Sequence, residues 1–251
     1  MSGACPRRRL IARTNNTEGE SDIITNVYTI SDLQTEAGLG LSFRVRLPMP
    51  RKPAGCVMLL HGVGGNETNL LDLATDIDPE TLVVFPRGSL QLGAQQFAWF
   101  RVAFTSAGPS IVAAEAEQSR QTLIHFVQQV QARHDIPAWN TVIAGFSQGG
   151  ILSASVALSA PECVTGFGIL SGRMLPELAP HIADKVRLEN LSAFVGHGEF
   201  DTKLPVIWAR RSDQWLSELN VAHETHIYPI DHGISPAMQT DFLEWLGGRL
   251  K

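Results

Sequence analysis

Five short, nearly continuous apolar runs constrain this chain more than any other feature. They cover residues 56–60, 81–85, 141–144, 164–170 and 191–195. A strand with one wet face alternates apolar and polar side chains, whereas a strand buried on both faces is apolar throughout. The runs therefore predict a mostly parallel sheet covered on both sides. Residues 41–47 behave differently, because Leu41, Phe43, Val45 and Leu47 alternate with Ser42, Arg44 and Arg46. A period of two predicts a strand with one solvated face, and residues 23–30 are expected to pair with it as an antiparallel edge.

Helical patterns fall between the runs. Residues 112–134 place Ala116, Leu123, Val127 and Val130 along one face. A second helix is predicted after Pro205, with Trp208, Trp215 and Leu219 facing inward, and a short strand over 224–228 follows it. The last helix has Ser235 as N-cap and Pro236 at its first position. It turns Met238, Phe242 and Trp245 inward and ends at Gly247-Gly248. The alternation predicts an α/β fold, a mostly parallel central sheet flanked by helices on both faces, with chemistry at the carboxyl ends of the strands. In a chain of 251 residues with no internal repeat or linker, residues 23–251 are expected to form a single domain. Residues 1–22 are expected to be a loosely ordered leading segment.

Composition narrows the function classes. A formal charge of −5 gives no broad cationic field, so no nucleic-acid partner is expected. The Arg7-Arg8-Arg9 cluster with Arg13 lies in the polar leading segment, where a solvated terminus accounts for it. No apolar run is long enough to span a bilayer, and residues 14–22 are polar where a secretory signal would be apolar. Cys5, Cys56 and Cys163 form no CxxC pair, and neither HExxH nor Cys/His ligands at zinc spacing are present. The expectation is a cytoplasmic protein with buried free thiols, without cofactor or metal, and compatible with a homo-oligomer.

The segment that carries chemistry is Gly145-x-Ser147-x-Gly149, set between the apolar run at 141–144 and a helical pattern over 151–158. A serine on so sharp a strand-to-helix turn needs small neighbours, which Gly145, Gly149 and Gly150 supply. A serine hydroxyl also needs a base. In this arrangement the order along the chain is serine, acid, histidine. His232 follows the final strand, within Pro229-Ile-Asp-His-Gly233, and is the predicted base, with His197 its rival. His226 falls inside a strand, and His181 and His223 lie among charged residues. Asp201 stands on a loop between a strand and a proline-initiated helix and is the predicted acid, ahead of Asp231 and Glu199. An oxyanion hole needs backbone N–H donors, and Gln148 and Val63 are the candidates, with Gly64 and Gly65 as alternatives to Val63. His61 is expected to organise its loop. Phe97, Trp99 and Phe100 line an acyl pocket or belong to the core.

Leu60-His-Gly-Val-Gly-Gly-Asn-Glu67, Phe85-Pro-Arg87, Ala98-Trp-Phe100, Gly145-Phe-Ser-Gln-Gly-Gly150, Leu170-Ser-Gly172, Asp201 with Pro205, and His232-Gly233 form one series. It is similar to the phospholipase/carboxylesterase family of α/β-hydrolases, which includes acyl-protein thioesterases and bacterial carboxylesterases, from about residue 40 to 248. The resemblance implies an α/β-hydrolase fold with little or no lid. It implies hydrolysis of lipid-like or small acyl esters or thioesters through an acyl-enzyme, without cofactor. It also implies Ser147, Asp201 and His232 as the triad, with Val63 and Gln148 as oxyanion donors. The loop after His61-Gly62 is closer to bacterial esterases, and Trp99-Phe100-Arg101 stands where the family often has Trp-Phe/Tyr-Asp. An acyltransferase using the same triad and a non-catalytic binding module are the competing classes.

Overall fold

The computed structural model describes residues 28–105 and 108–250. The leading segment 1–22, with Cys5 and the arginine cluster, lies outside the described residues, as does most of the edge expected at 23–30. In chain order the strands and helices are β1 (Thr29–Ile30), β2 (Gln34–Thr35), β3 (Ser42–Leu47), β4 (Gly55–Leu60), β5 (Thr81–Pro86), β6 (Leu90–Gly93), β7 (Gln96–Ala98), β8 (Val102–Thr105) and β9 (Gly108–Ile111). Then follow α1 (Ala113–His134), β10 (Thr141–Phe146), α2 (Gln148–Ser159), β11 (Gly166–Leu170) and α3 (Lys185–Leu188). The chain closes with β12 (Ser192–Gly198), α4 (Ile207–Glu218), β13 (Ala222–Tyr228) and α5 (Pro236–Gly247).

The nine-stranded sheet runs β1-β3-β5-β4-β10-β11-β12-β13, with β2 beside β3. Strands from β5 through β13 are parallel to their neighbours, and β3 pairs antiparallel with β5. β1 pairs antiparallel with β3. The apolar runs are buried on both faces because the pleat sends alternate residues to different cores. Cys56, Met58 and Leu60 join a cluster with Leu123, Phe126 and Val127 of α1 and with α2. Val57 and Leu59 face the other way, onto Phe242 and Trp245 of α5. Helices therefore cover both faces, as the runs predict.

Two local expectations are corrected. In α4 the buried face is Ala209, Ser212 and Leu216, while Trp208, Trp215 and Leu219 flank it half buried. Ala209, Ser212 and Leu216 take the closest contact, and Trp215 and Leu219 pack on the core from its edge. The polar side of β3 is also not solvated throughout. Arg46 is buried, and its guanidinium donates to the backbone carbonyls of Ala74, Ile77, Asp78 and Thr81, which ties the turn before β5 to β3. In α5, Ser235 Oγ accepts the Met238 N–H at 3.1 Å, the predicted cap.

Candidate active site

Ser147 ends β10 in a backbone that few side chains adopt, with φ 53° and ψ −114°. Such a conformation costs on the order of 1–3 kcal/mol and persists only where its surroundings hold it. Here the Ser147 N–H donates to Leu170 O at 2.8 Å, and Ser147 O accepts the Ile151 N–H at 3.0 Å. Gly149 makes the turn sterically feasible: a Cβ there would lie 2.1 Å from Leu60 O. The serine is thus presented at the carboxyl end of the sheet by contacts that no larger residue would allow.

The structure brings three of the sequence-predicted residues into one hydrogen-bonded line. Ser147 Oγ lies 3.0 Å from His232 Nε2, and His232 Nδ1 lies 2.7 Å from Asp201 Oδ2. With Nδ1–H donating to the carboxylate, Nε2 is free to accept the serine proton. Asp201 Oδ1 accepts the N–H groups of Lys203 and Leu204, at 2.8 and 2.7 Å, which fixes the carboxylate toward the ring. Phe146 packs against the His232 ring at 4.9 Å between centroids.

The rivals sit elsewhere. His197 is fully buried in β12, where its Nε2 donates to Leu204 O at 2.7 Å and lies 3.3 Å from Asp201 Oδ2. Burial pushes its pKa down, so a neutral ring supports the Asp201 loop from behind. Asp231 is exposed and accepts from Thr202 N and Oγ1 and from the His232 backbone N–H, not from the ring. Those bonds, that from the Thr202 N–H foremost, hold its carboxyl below its usual range and pin two loops together. Glu199 is exposed. His226 stacks on Phe194, His223 faces Asp213, and His181 lies near Glu117.

The glycine-rich loop after β4 is held by His61 and Glu67. His61 Nε2 accepts the Gly88 N–H at 2.9 Å, so Nδ1 carries the proton and donates to Gly62 O at 2.7 Å. Glu67 accepts from Arg44 and Arg87. Between these anchors Val63 N–H makes no hydrogen bond to any described residue. The Gln148 N–H, first in α2, has no preceding turn to bond. Val63 and Gln148 both line the cavity at Ser147.

That cavity holds about 240 Å³. Phe100 lines it, but Phe97 and Trp99 do not. Trp99 is buried below, its Nε1 donating to His61 O at 2.9 Å, and Phe97 lies under the Arg87 guanidinium. The Gln148 side chain clamps this segment to the elbow through Trp99 N and Phe100 O. Val102 of β8 and Ile111 of β9, cross-strand partners, form a further wall. Sequence reasoning missed these two, as it missed Arg173 and Lys203 at the same cavity. Arg173 had one available signal, its place just beyond the carboxyl end of a predicted parallel strand. Among the described residues no group of three His, Cys, Asp or Glu stands together as metal ligands, and no helix is long and apolar enough to cross a membrane.

Comparison with known proteins agrees with this layout. The sequence profile of the family described as Phospholipase/Carboxylesterase matches residues 47–247. An acyl-protein thioesterase 1 of Debaryomyces hansenii is 26% identical over 235 residues, covering 82% of this chain and 97% of its own. Among solved structures, esterase PE8 superposes with a TM-score of 0.73 at 24% identity, over 84% of this chain and 99% of its own. The carboxylesterase from Mesorhizobium loti gives 0.73 at 22%, over 87% and 100%. At such identities the two structures establish the α/β-hydrolase fold.

Proposed function

The chain belongs to the phospholipase/carboxylesterase family, and from that premise we propose that it is a serine hydrolase that cleaves carboxylic esters or thioesters through an acyl-enzyme. The observation that carries this reading is the line Asp201–His232–Ser147, with its 2.7 and 3.0 Å contacts. His232 Nε2 takes the Ser147 proton as Oγ attacks the substrate carbonyl. The carbonyl electrons move onto oxygen, where the Val63 and Gln148 N–H groups stabilise the developing charge. Collapse of the intermediate expels the alkoxide or thiolate, which receives the proton from His232. Water then repeats the sequence, releases the acid and restores Ser147. Asp201 holds the ring with its proton on Nδ1 and stabilises the imidazolium, taking no proton itself.

Two features support this assignment. The two proposed donors have no other partner within the described chain, as groups reserved for an oxyanion should. Among the described residues Cys56 and Cys163 are buried and free, and burial pushes the Cys56 thiol up to about 12, which favours a serine over either of them as the nucleophile. Buried free thiols also suit the reducing, cytoplasmic compartment in which we place the reaction. The test is turnover of short-chain p-nitrophenyl esters and of an acyl thioester. Ser147→Ala is expected to abolish release of both leaving groups. Turnover that survived in this variant would remove the reading.

A further inference from the structure

Arg173 is the buried arginine that the chain leaves without a hydrogen bond among the described residues. It is 5% exposed, yet it makes no ion pair, and its Nε has no hydrogen-bond partner. The other buried arginines are treated differently. Arg46 donates to four carbonyls, and Arg120 donates to Glu117 and Ser159. The Arg173 guanidinium lies over the Trp208 ring, 4.4 Å from its centroid. Stacking satisfies a face of the group and leaves its in-plane N–H donors for something else.

Its position says what that something is near. Arg173 lines the cavity that contains Ser147, and the preceding Gly172 is so close that a Cβ on it would meet Ser147 O at 2.9 Å. The other charged residue of the lining, Lys203, is also cationic, and no carboxylate lines the cavity. Two cations without a carboxylate in the lining contrast with a chain of net charge −5. The same lining includes the apolar side chains Phe100, Val102, Ile111 and Ile151.

We propose that this cavity takes substrates bearing a carboxylate, which Arg173 binds through its in-plane N–H groups, Lys203 being the second cation of the lining. The inference rests on the serine-hydrolase reading and names its substrate class. A carboxylate matches the guanidinium fork with two parallel charge-assisted bonds, while the apolar walls hold the methylenes between it and the scissile carbonyl. Burial holds the Arg173 pKa below its ordinary value although the charge of Glu177, which makes no ion pair with it, opposes the shift, and a bound anion would offset the remaining cost. The carboxylate belongs either to the acyl part or to the leaving group, and the experiment has one arm for each.

In the acyl arm, p-nitrophenyl hydrogen adipate is compared with its neutral carboxamide counterpart, after subtraction of the enzyme-free rate. In the leaving-group arm, 3-carboxyphenyl butyrate is compared with 3-carbamoylphenyl butyrate. A carboxylate-over-carboxamide ratio in kcat/KM of roughly 10- to 100-fold is expected in one arm, the range for a hydrogen bond to a charged group. Arg173→Met is expected to bring that ratio close to one, and Arg173→Lys to keep part of it. A ratio near one in both arms, or one that persists in Arg173→Met, overturns the proposal. Calorimetric titration of the wild type with adipate and with adipamide needs neither a variant nor turnover. At least tenfold tighter binding of adipate supports the proposal, and equal binding overturns it. Hydrolysis that depends on Ser147 but ignores the carboxylate sinks this inference alone. Hydrolysis that survives Ser147→Ala sinks the reading beneath it.

Discussion

Glu67 and Asp201 are both buried carboxylates, and each holds one of the loops that meet at Ser147, but their partners differ in kind. Glu67 faces the guanidinium groups of Arg44 and Arg87, which are permanently charged. Burial would push its carboxyl up, but hydrogen bonds from Arg87 and Arg44 outweigh that and hold it at about 2. Asp201 faces two backbone N–H groups, the His232 ring and, at 3.3 Å, the ring of His197. No permanent cation touches it among the described residues. A carboxylate locked between arginines is the same whether or not a proton moves nearby. One set against a titratable ring becomes better paired at the moment the ring gains a proton. The first arrangement makes a scaffold, and the second is what the proposed relay requires.

The comparison is most exposed at Asp201. Asp201→Asn keeps the volume but offers Nδ1 an amide that can donate, which favours the wrong tautomer. We expect kcat to fall by up to ~10⁴-fold with little change in melting temperature. A loss below tenfold in a folded variant would make Asp201 a scaffold like Glu67. The next effect is thermodynamic. Glu67→Gln leaves two arginines facing a neutral amide and should lower stability by about 3 kcal/mol in denaturant melts. Its folded pKa lies below the ordinary 4.5, so this contribution is complete above 4.5 and is lost as pH falls toward 2. The gap between wild type and Glu67→Gln should therefore close with acidification across that range. A gap that stayed constant would mean that the arginines are not what holds the charge. The smallest effect belongs to Asp231, which binds the His232 backbone and not its ring. Asp231→Asn should change kcat by less than tenfold, and a larger loss would move the acid's role to it.

The parts of this molecule that were legible in the sequence are those whose signal is local. Runs such as 56–60 and 141–144 are apolar throughout because both faces of each strand are covered, and the turn at Ser147 declares itself by glycines that nothing larger could replace. Ser235 and Pro236 mark the start of α5 for an equally local reason. Asp201 and His232 could be singled out because each follows a strand, at the end of the sheet where such residues converge. The remainder depends on contacts between distant segments. The hairpins β6–β7 and β8–β9 carry no clear period, so nothing in the chain announced that Val102 and Ile111 would wall the cavity. Phe97, Trp99 and Phe100 look alike in sequence, and the Gln148 side chain, through Trp99 N and Phe100 O, holds the segment with Phe100 toward the opening. In α4 the large apolar residues marked the edge of the buried face, since Trp215 and Leu219 pack on the core while Ala209, Ser212 and Leu216 lie at its centre. For Arg173 the sequence offered only its place beyond a strand end, because an unpaired charge is defined by what fails to surround it.

The account stands or falls on Ser147 as an activated nucleophile, and active-site labelling examines that directly. A fluorophosphonate reagent reacts with a serine whose hydroxyl is deprotonated by a neighbouring base, and peptide mass mapping locates the adduct. The expected result is one label per chain, on the peptide containing Ser147, with none on Ser147→Ala and slow labelling of His232→Gln. A label that maps to another residue, or that persists in Ser147→Ala, would contradict the account.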